Sequence, residues 1–295
     1  MNRRPNVVVI GAGRAGLGLA RALRDAGYKV PAIVTRRRAQ ASAVGRLLGR
    51  GSGTTELPRA VSRAGIVLVC VPDREIPAVV RQLASLPATD LKGRVILHTS
   101  GVSSAEPLAM LRKHGASAGS FHPLVSFPPP PGQRGLLAGA AFAIDGDPRA
   151  LRTSGSLARA LGGIPIRIAP QDRAAYHLIA SLLANGLVAL LDEGFGLARR
   201  RLAMTDTRVR AVFIPLLATV LTNVARTGTG QALTGPVVRG DSGTVGRHLE
   251  QLRGEAPELA GLYRLLARSA LRMALDTHRI DGAAADEIER VLTRD

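Results

Sequence analysis

The chain has 295 residues, a formal net charge of +18 and a pI near 11.6, with only 3% aromatic residues and no tryptophan. Two domains with sizeable cores are expected at that length. A basic chain invites a nucleic-acid reading, but lysine occurs only at Lys29, Lys92 and Lys113, the arginines form no stripe, and no aromatic platform exists for stacking bases. Specific nucleic-acid binding is set aside, and an anionic small molecule is the expected partner.

The first predicted strand, Val7-Val8-Val9-Ile10, runs into Gly11-Ala12-Gly13-Arg14-Ala15-Gly16, and a helix opens at Leu17. Gly11 permits the tight turn, Gly13 lets the backbone approach a pyrophosphate, and Gly16 lets the helix pack on the strand, with its N-terminal N–H groups aimed at phosphate. A second strand over 28–34 completes the context of a dinucleotide site. It ends in Thr35-Arg36-Arg37-Arg38, where an NAD site carries an acidic partner for the ribose. A guanidinium there grips a 2′-phosphate, so NADP(H) is preferred over NAD(H).

A helix over 39–48, a Gly/Ser/Thr turn and a short helix over 58–64 lead to a buried strand over 66–71, which holds the single cysteine, Cys70. That residue is expected to be an inert buried thiol, with no disulfide and no metal cluster around it. Val71 and Pro72 end the strand, and Asp73 is the expected N-cap of the next helix. Strands over 94–98, 116–121, 140–144 and 164–168 continue a doubly wound, mostly parallel α/β sheet. Ligands bind at the carboxyl ends of such strands, which singles out Val71, Pro72, the turn His98-Thr99-Ser100-Gly101, and His122. Thr99 is assigned to the cofactor, and Ser100 can donate to a substrate carboxylate. The run Pro128 to Pro131 reads as a stiff spacer. The chain begins almost directly on its first strand, so no cleaved signal peptide is expected and the location is read as cytoplasmic.

From Pro170 the pattern is helical, over 172–200, 207–226, 242–253 and 257–279, with a short helix at the end. The expected division is a dinucleotide-binding domain over 1–169 and an all-α domain over 170–295. No apolar run makes a convincing membrane span, although the helix from Tyr176 comes nearest. On that helix His177, Ser181 and Asn185 fall at i, i+4 and i+8. Its other residues are apolar all round, as in a buried helix, so these polar groups need partners, either a substrate or neighbouring helices. A glycine-punctuated loop carries Thr234, Arg239 and Asp241; it reads either as an anion clamp or as a helix cap with an ion pair.

The Gly11–Gly16 turn, the His98–Gly101 turn, Gly119-Ser120-Phe121-His122-Pro123-Leu124-Val125-Ser126-Phe127, the loop from Ala232 to Asp241 and the helical second half together resemble the Rossmann-like family that carries domain of unknown function 2520. That family is similar to the 6-phosphogluconate-dehydrogenase-like group, which includes ketopantoate reductase, pyrroline-5-carboxylate reductase, β-hydroxyacid dehydrogenases and prephenate dehydrogenase. The resemblance implies NADP or NAD as cofactor, substrate between two domains, and dimerisation through the helical one. Asn185 to Leu190 looks like the ketopantoate reductase segment bearing a substrate-binding asparagine; the catalytic lysine two turns earlier corresponds to His177 here. Gly119 to Pro123 resembles a Gly-x-x-His-Pro stretch of prephenate-dehydrogenase-like proteins, and Asp241 to Thr244 resembles an acidic substrate-facing loop.

The expectation is an NADP-dependent oxidoreductase that moves hydride between nicotinamide and a C=O or C=N of a small carboxylate-bearing substrate. His177 or His122, titrating near neutrality, would handle the proton. Asn185 would hold the reacting heteroatom, with Ser181 beside it, while Ser100 and Arg239 would hold the carboxylate. A non-catalytic NADP-binding sensor and a coenzyme-F420:NADP reductase are the alternatives.

Overall fold

β1 (Val7–Ile10) is buried along its whole length, and its side chains alternate between two separate apolar layers, Val7 and Val9 in one, Val8 and Ile10 in the other. A strand apolar on both sides needs a sheet covered on both faces. The computed structural model, which describes residues 4–129 and 135–294, has that architecture. After β1 come α1 (Arg14–Asp25), β2 (Ala32–Val34), α2 (Arg38–Leu48), β3 (Gly53–Thr54), α3 (Leu57–Val61), β4 (Ile66–Val69), α4 (Ile76–Ala84), α5 (Ala88–Leu91), β5 (Val95–His98), β6 (Ser117–Pro123), β7 (Ala141–Gly146), α6 (Pro148–Ala160) and β8 (Ile164–Arg167). The sheet order is β3-β2-β1-β4-β5-β6-β7-β8, and β6–β7 is its antiparallel pairing.

Three local expectations change. The strand expected from Tyr28 begins at Ala32, because Pro31 has no N–H for the ladder. The Gly/Ser/Thr turn contains the two-residue β3, held on β2. Asp73 makes no capping hydrogen bond; it opens a 3₁₀ turn, Asp73–Glu75, and α4 starts after it. Pro130 and Pro131 of the proline run lie outside the described residues.

Beyond β8 the chain is helical: α7 (Arg173–Ser181), a π-helical turn (Leu182–Gly186), α8 (Leu187–Leu202), α9 (Asp206–Ala232), α10 (Ser242–Glu255), α11 (Pro257–Asp276) and α12 (Gly282–Thr293). The chain divides into compact units Met1–Asn185 and Gly186–Asp295. The division thus falls inside the π-helical turn rather than after residue 169, and α7 belongs with the sheet. The second unit has its own core, where Val245, Leu249, Leu271 and Ile288 join α10, α11 and α12.

The expectation of a buried helix from Tyr176 fails. Leu178, Ile179, Leu182, Leu183 and Val188 are each 57–69% exposed. A helix apolar all round presents more surface than one neighbour can cover. The stretches Pro170–Leu202 and Asp206–Ala232 are both long and apolar enough to cross a membrane, judged by length and composition alone.

A polar row crosses the first unit's sheet. His98, Ser120 and Asp145 are register partners on adjacent strands, so their side chains share one face, and all three are buried. Asp145 accepts from the Ala105 N–H (2.8 Å) and from Arg173 Nε (2.8 Å). Arg173, the first residue of α7, is 1% exposed, so this ion pair pins the helix to β7. Removing one partner of a buried pair strands the other charge. Asp145→Ala is therefore expected to cost about 3–5 kcal/mol in urea unfolding, and pairing it with Arg173→Met is expected to recover much of the loss. A single-variant cost below about 1 kcal/mol would show that the pair does not hold the helix.

Candidate functional site

The carboxyl ends of β2, β1 and β4 enclose a cavity of about 470 Å³ whose walls include Gly11, Ala12, Gly13, Thr35, Arg36, Val71 and Pro72. The fold itself requires Gly11, which adopts φ +109° and where a side chain would strike the Cys70 carbonyl. It likewise requires Gly16, whose Cβ would strike the Gly11 carbonyl. Gly13 is different: a Cβ there would meet no protein atom within 4 Å. Gly13 also N-caps α1 with no side-chain hydrogen bond and no acidic residue in the first turn, leaving the helix N–H groups available to an anion. These residues fit a dinucleotide pyrophosphate.

At the ribose end Thr35 is buried and its hydroxyl donates to the Arg37 carbonyl (3.1 Å). Arg36 is not free: its Nη1 pairs with Glu75 Oε2 at 3.0 Å, and Glu75 is another wall of the cavity. The sequence reading found no carboxylate near the arginines because Glu75 lies 39 residues away. The 3₁₀ turn after β4 brings it there.

On the same edge of the sheet, three rings gather beyond β5 and β6. His122 Nδ1 and the Tyr176 hydroxyl are hydrogen-bonded at 3.0 Å, and the His122 and His177 ring centroids are 6.2 Å apart. Gly101 sits against both imidazoles; a Cβ on it would collide with His177 and lie 2.9 Å from His122 Nε2. Burial, then the nearby His177 and Arg173, push the His122 pKa down to about 4. The near-neutral titration expected for His122 is therefore corrected, since imidazolium is disfavoured where water is excluded and other cations are close. Burial likewise raises the Tyr176 pKa, keeping its hydroxyl protonated.

The family comparison agrees with this anatomy. A Rossmann-like domain model matches residues 1–123, and Domain of unknown function (DUF2520) matches 140–270. Among solved structures it is similar to BF3122 of Bacteroides fragilis, assigned as an NADP oxidoreductase, at 22% identity and TM-score 0.74 over 92% of this chain and 99% of that one. It is similar to protein TM1727 of Thermotoga maritima at 25% identity and TM-score 0.66, over 92% and 99%. It is also similar to a pyrroline-5-carboxylate reductase of Coxiella burnetii at 17% identity and TM-score 0.56, over 97% and 98%. No curated protein matches the chain in sequence.

The other expected residues fall as follows. Arg14, Ala15, Gly16, Arg37 and Thr99 are not among the cavity walls; Thr99 contacts the Val69 carbonyl behind them. Cys70 is a wall, but burial pushes its thiol up to about 12, which makes it inert. Ser100 is buried, with Oγ accepting from the Ser103 N–H at 3.1 Å. His98 is satisfied on both nitrogens, by the Ser104 carbonyl and the Ser100 N–H, and burial lowers its pKa. Asn185 sits in the π-helical turn Leu182–Gly186 that follows α7. Ser181 and Asn185 make no side-chain hydrogen bond among the described residues. In the second unit Thr234 and Arg239 are exposed. Asp241 caps α10, accepting from the Thr244 N–H (2.9 Å) and hydroxyl (2.7 Å); these bonds lower its pKa.

Sequence reasoning missed Tyr176 and Arg173. Arg173 has a signal in hindsight: Arg173, His177 and Ser181 share the i, i+4, i+8 spacing. Its Nη1 and Nη2, and the Ser120 Oγ, are buried without a hydrogen-bond partner, and such donors call for an ordered water or a ligand oxygen.

His122 gives a test. Its ordinary pKa of 6.5 holds in the unfolded chain and falls to about 4 in the folded one. The unfolded state therefore binds more protons between those values, and stability present above pH 6.5 is lost as pH falls toward 4. His98 acts in the same direction. The melting temperature is expected to drop between pH 7 and 5, with a visibly shallower drop for His122→Asn. Equal slopes in the two proteins would contradict a neutral, buried His122.

Proposed function

We propose that the chain is an NAD(P)-dependent oxidoreductase with a preference for NADP(H), acting on a C=O or C=N carbon of a small carboxylate-bearing molecule. The observation that carries this reading is Gly13, a glycine kept bare at a helix N-terminus although nothing in the protein would obstruct a side chain there. The fold shared with a protein assigned as an NADP oxidoreductase and with a pyrroline-5-carboxylate reductase supports it. Gly11 to Gly13 and the α1 N-terminus would hold the pyrophosphate, and Arg36 with Arg37 the 2′-phosphate. When bound, the nicotinamide supplies or accepts the hydride. His177, beside a neutral His122 that is hydrogen-bonded to Tyr176, handles the proton. Ser100 is the hydroxyl assigned to a substrate carboxylate, and Asn185 is the group assigned to the heteroatom.

In the same reading the chain works in the cytoplasm as a dimer, with α8 and α9 of the second unit facing a second copy. Val188 on α8 and Leu216 and Leu221 on α9, all mostly exposed, supply the apolar surface that asks for a partner. Asp192 and Glu193 interrupt the apolar run of α8, which is costly in a lipid core and tolerable between proteins. Light scattering in detergent-free buffer is expected to give twice the chain mass, and Leu216→Glu to halve it; a stable monomer, or a requirement for detergent, would reject the dimer.

The function is tested by fluorescence titration with NADPH, followed by a screen of keto and imino acids. Gly13→Val is expected to abolish binding while leaving the melting temperature within about 2 °C of wild type, a shift of under about 1 kcal/mol. His177→Ala and Tyr176→Phe are expected to lower kcat on an identified substrate by about a hundredfold or more while NADPH still binds. Binding without turnover on any such substrate would favour a sensor, and full turnover by His177→Ala would remove that residue from the mechanism.

A further inference from the structure

The cofactor cavity contains a carboxylate at the end where discrimination between the two cofactors is decided. Glu75 lines it together with Thr35 and Arg36. Its Oε2 lies 3.0 Å from Arg36 Nη1, and its Oε1 lies 3.8 Å from Arg74 Nε. The Glu75 side chain is 28% exposed, against 79% for Arg36 and 86% for Arg74. The anchored member of the group is thus the acid, and the cations reach toward it from solvent. Arg36 already has a counter-ion before any phosphate arrives.

We propose that Glu75 is a cofactor-specificity residue, and that its carboxylate, paired with Arg36, holds down the preference for NADPH over NADH. The inference rests on reading this cavity as a nicotinamide dinucleotide site. A phosphate oxygen that takes its own hydrogen bond from Arg36 comes within roughly 6 Å of the Glu75 carboxylate, two N–H···O lengths through one guanidinium. The phosphate and the carboxylate then compete for one cation, and their like charges repel across a half-buried gap where screening is weaker than in bulk water. An unphosphorylated ribose presents a hydroxyl instead, which can donate to Glu75. The acid that is missing at the end of β2 is thus supplied from the turn after β4. It favours the unphosphorylated cofactor while the arginines favour the phosphorylated one.

The experiment is calorimetric titration of the full-length protein, as wild type, Glu75→Gln and Glu75→Ala, with NADPH and with NADH at two salt concentrations. Glu75→Gln keeps the size and the hydrogen-bonding capacity of the side chain but removes its charge. It is expected to tighten NADPH about fivefold at low salt and to leave NADH unchanged or about twofold weaker. That gain is expected to shrink at high salt. Glu75→Ala is expected to move the ratio of the two dissociation constants in the same direction, and melting curves check that both variants are folded. If wild type binds both cofactors and neither variant moves the ratio by more than twofold, Glu75 does not set specificity and the dinucleotide reading stands. If wild type binds neither, the dinucleotide reading fails and this inference fails with it.

Discussion

Burying an arginine is costly unless its charge is answered, and in this protein the answer joins two parts of the first unit. Arg173 opens α7, Asp145 lies on β7, and the pair meets at 2.8 Å with the guanidinium 1% exposed. Asp145 also accepts from the Ala105 N–H, so the loop after β5 is tied to the same carboxylate. This ion pair brings Tyr176 and His177 back to the sheet, where His122 and Gly101 wait at the ends of neighbouring strands. The ion pair thus fixes which side of α7 faces the sheet.

The same buried environment sets the chemistry available. Burial and the positive charge of Arg173 hold His122 in its neutral form, and burial keeps the Tyr176 hydroxyl protonated. Two neutral groups sharing a hydrogen bond can position a proton without adding charge to the pocket. His177 stands beside them on the helix surface, with Gly101 thin enough to let both imidazoles approach. At the other end of the sheet edge the charge logic differs. The groups there are exposed or half-exposed ions, Arg36, Arg74 and Glu75, whose balance responds to salt.

The glycine turn, the buried strands of the parallel sheet and the change to helices near Pro170 were all legible in the sequence, because each is a local pattern. Val7 to Ile10 must lie between two covered faces, and Gly11 to Gly16 can serve only a turn into a helix. Cys70 as an inert buried residue followed equally from its apolar run. The polar row was not legible, since His98, Ser120 and Asp145 become neighbours only through strand register. Glu75 beside Arg36 was hidden for the same reason, as was Tyr176 beside His122. The π-helical turn at Leu182–Gly186, which holds Asn185, was not legible either, because an apolar helical pattern carries no mark of the local winding.

The sequence by itself determined the fold class, the dinucleotide turn and the list of polar groups able to carry chemistry. These depend on periodicity and on backbone freedom at single positions, which are properties of short segments. Only the tertiary structure decided which of those groups meet, which are neutral, and which are already satisfied as His98 and Asp241 are. Charge state and hydrogen-bond pairing depend on distance and on exclusion of water, and both are set by elements far apart in the chain.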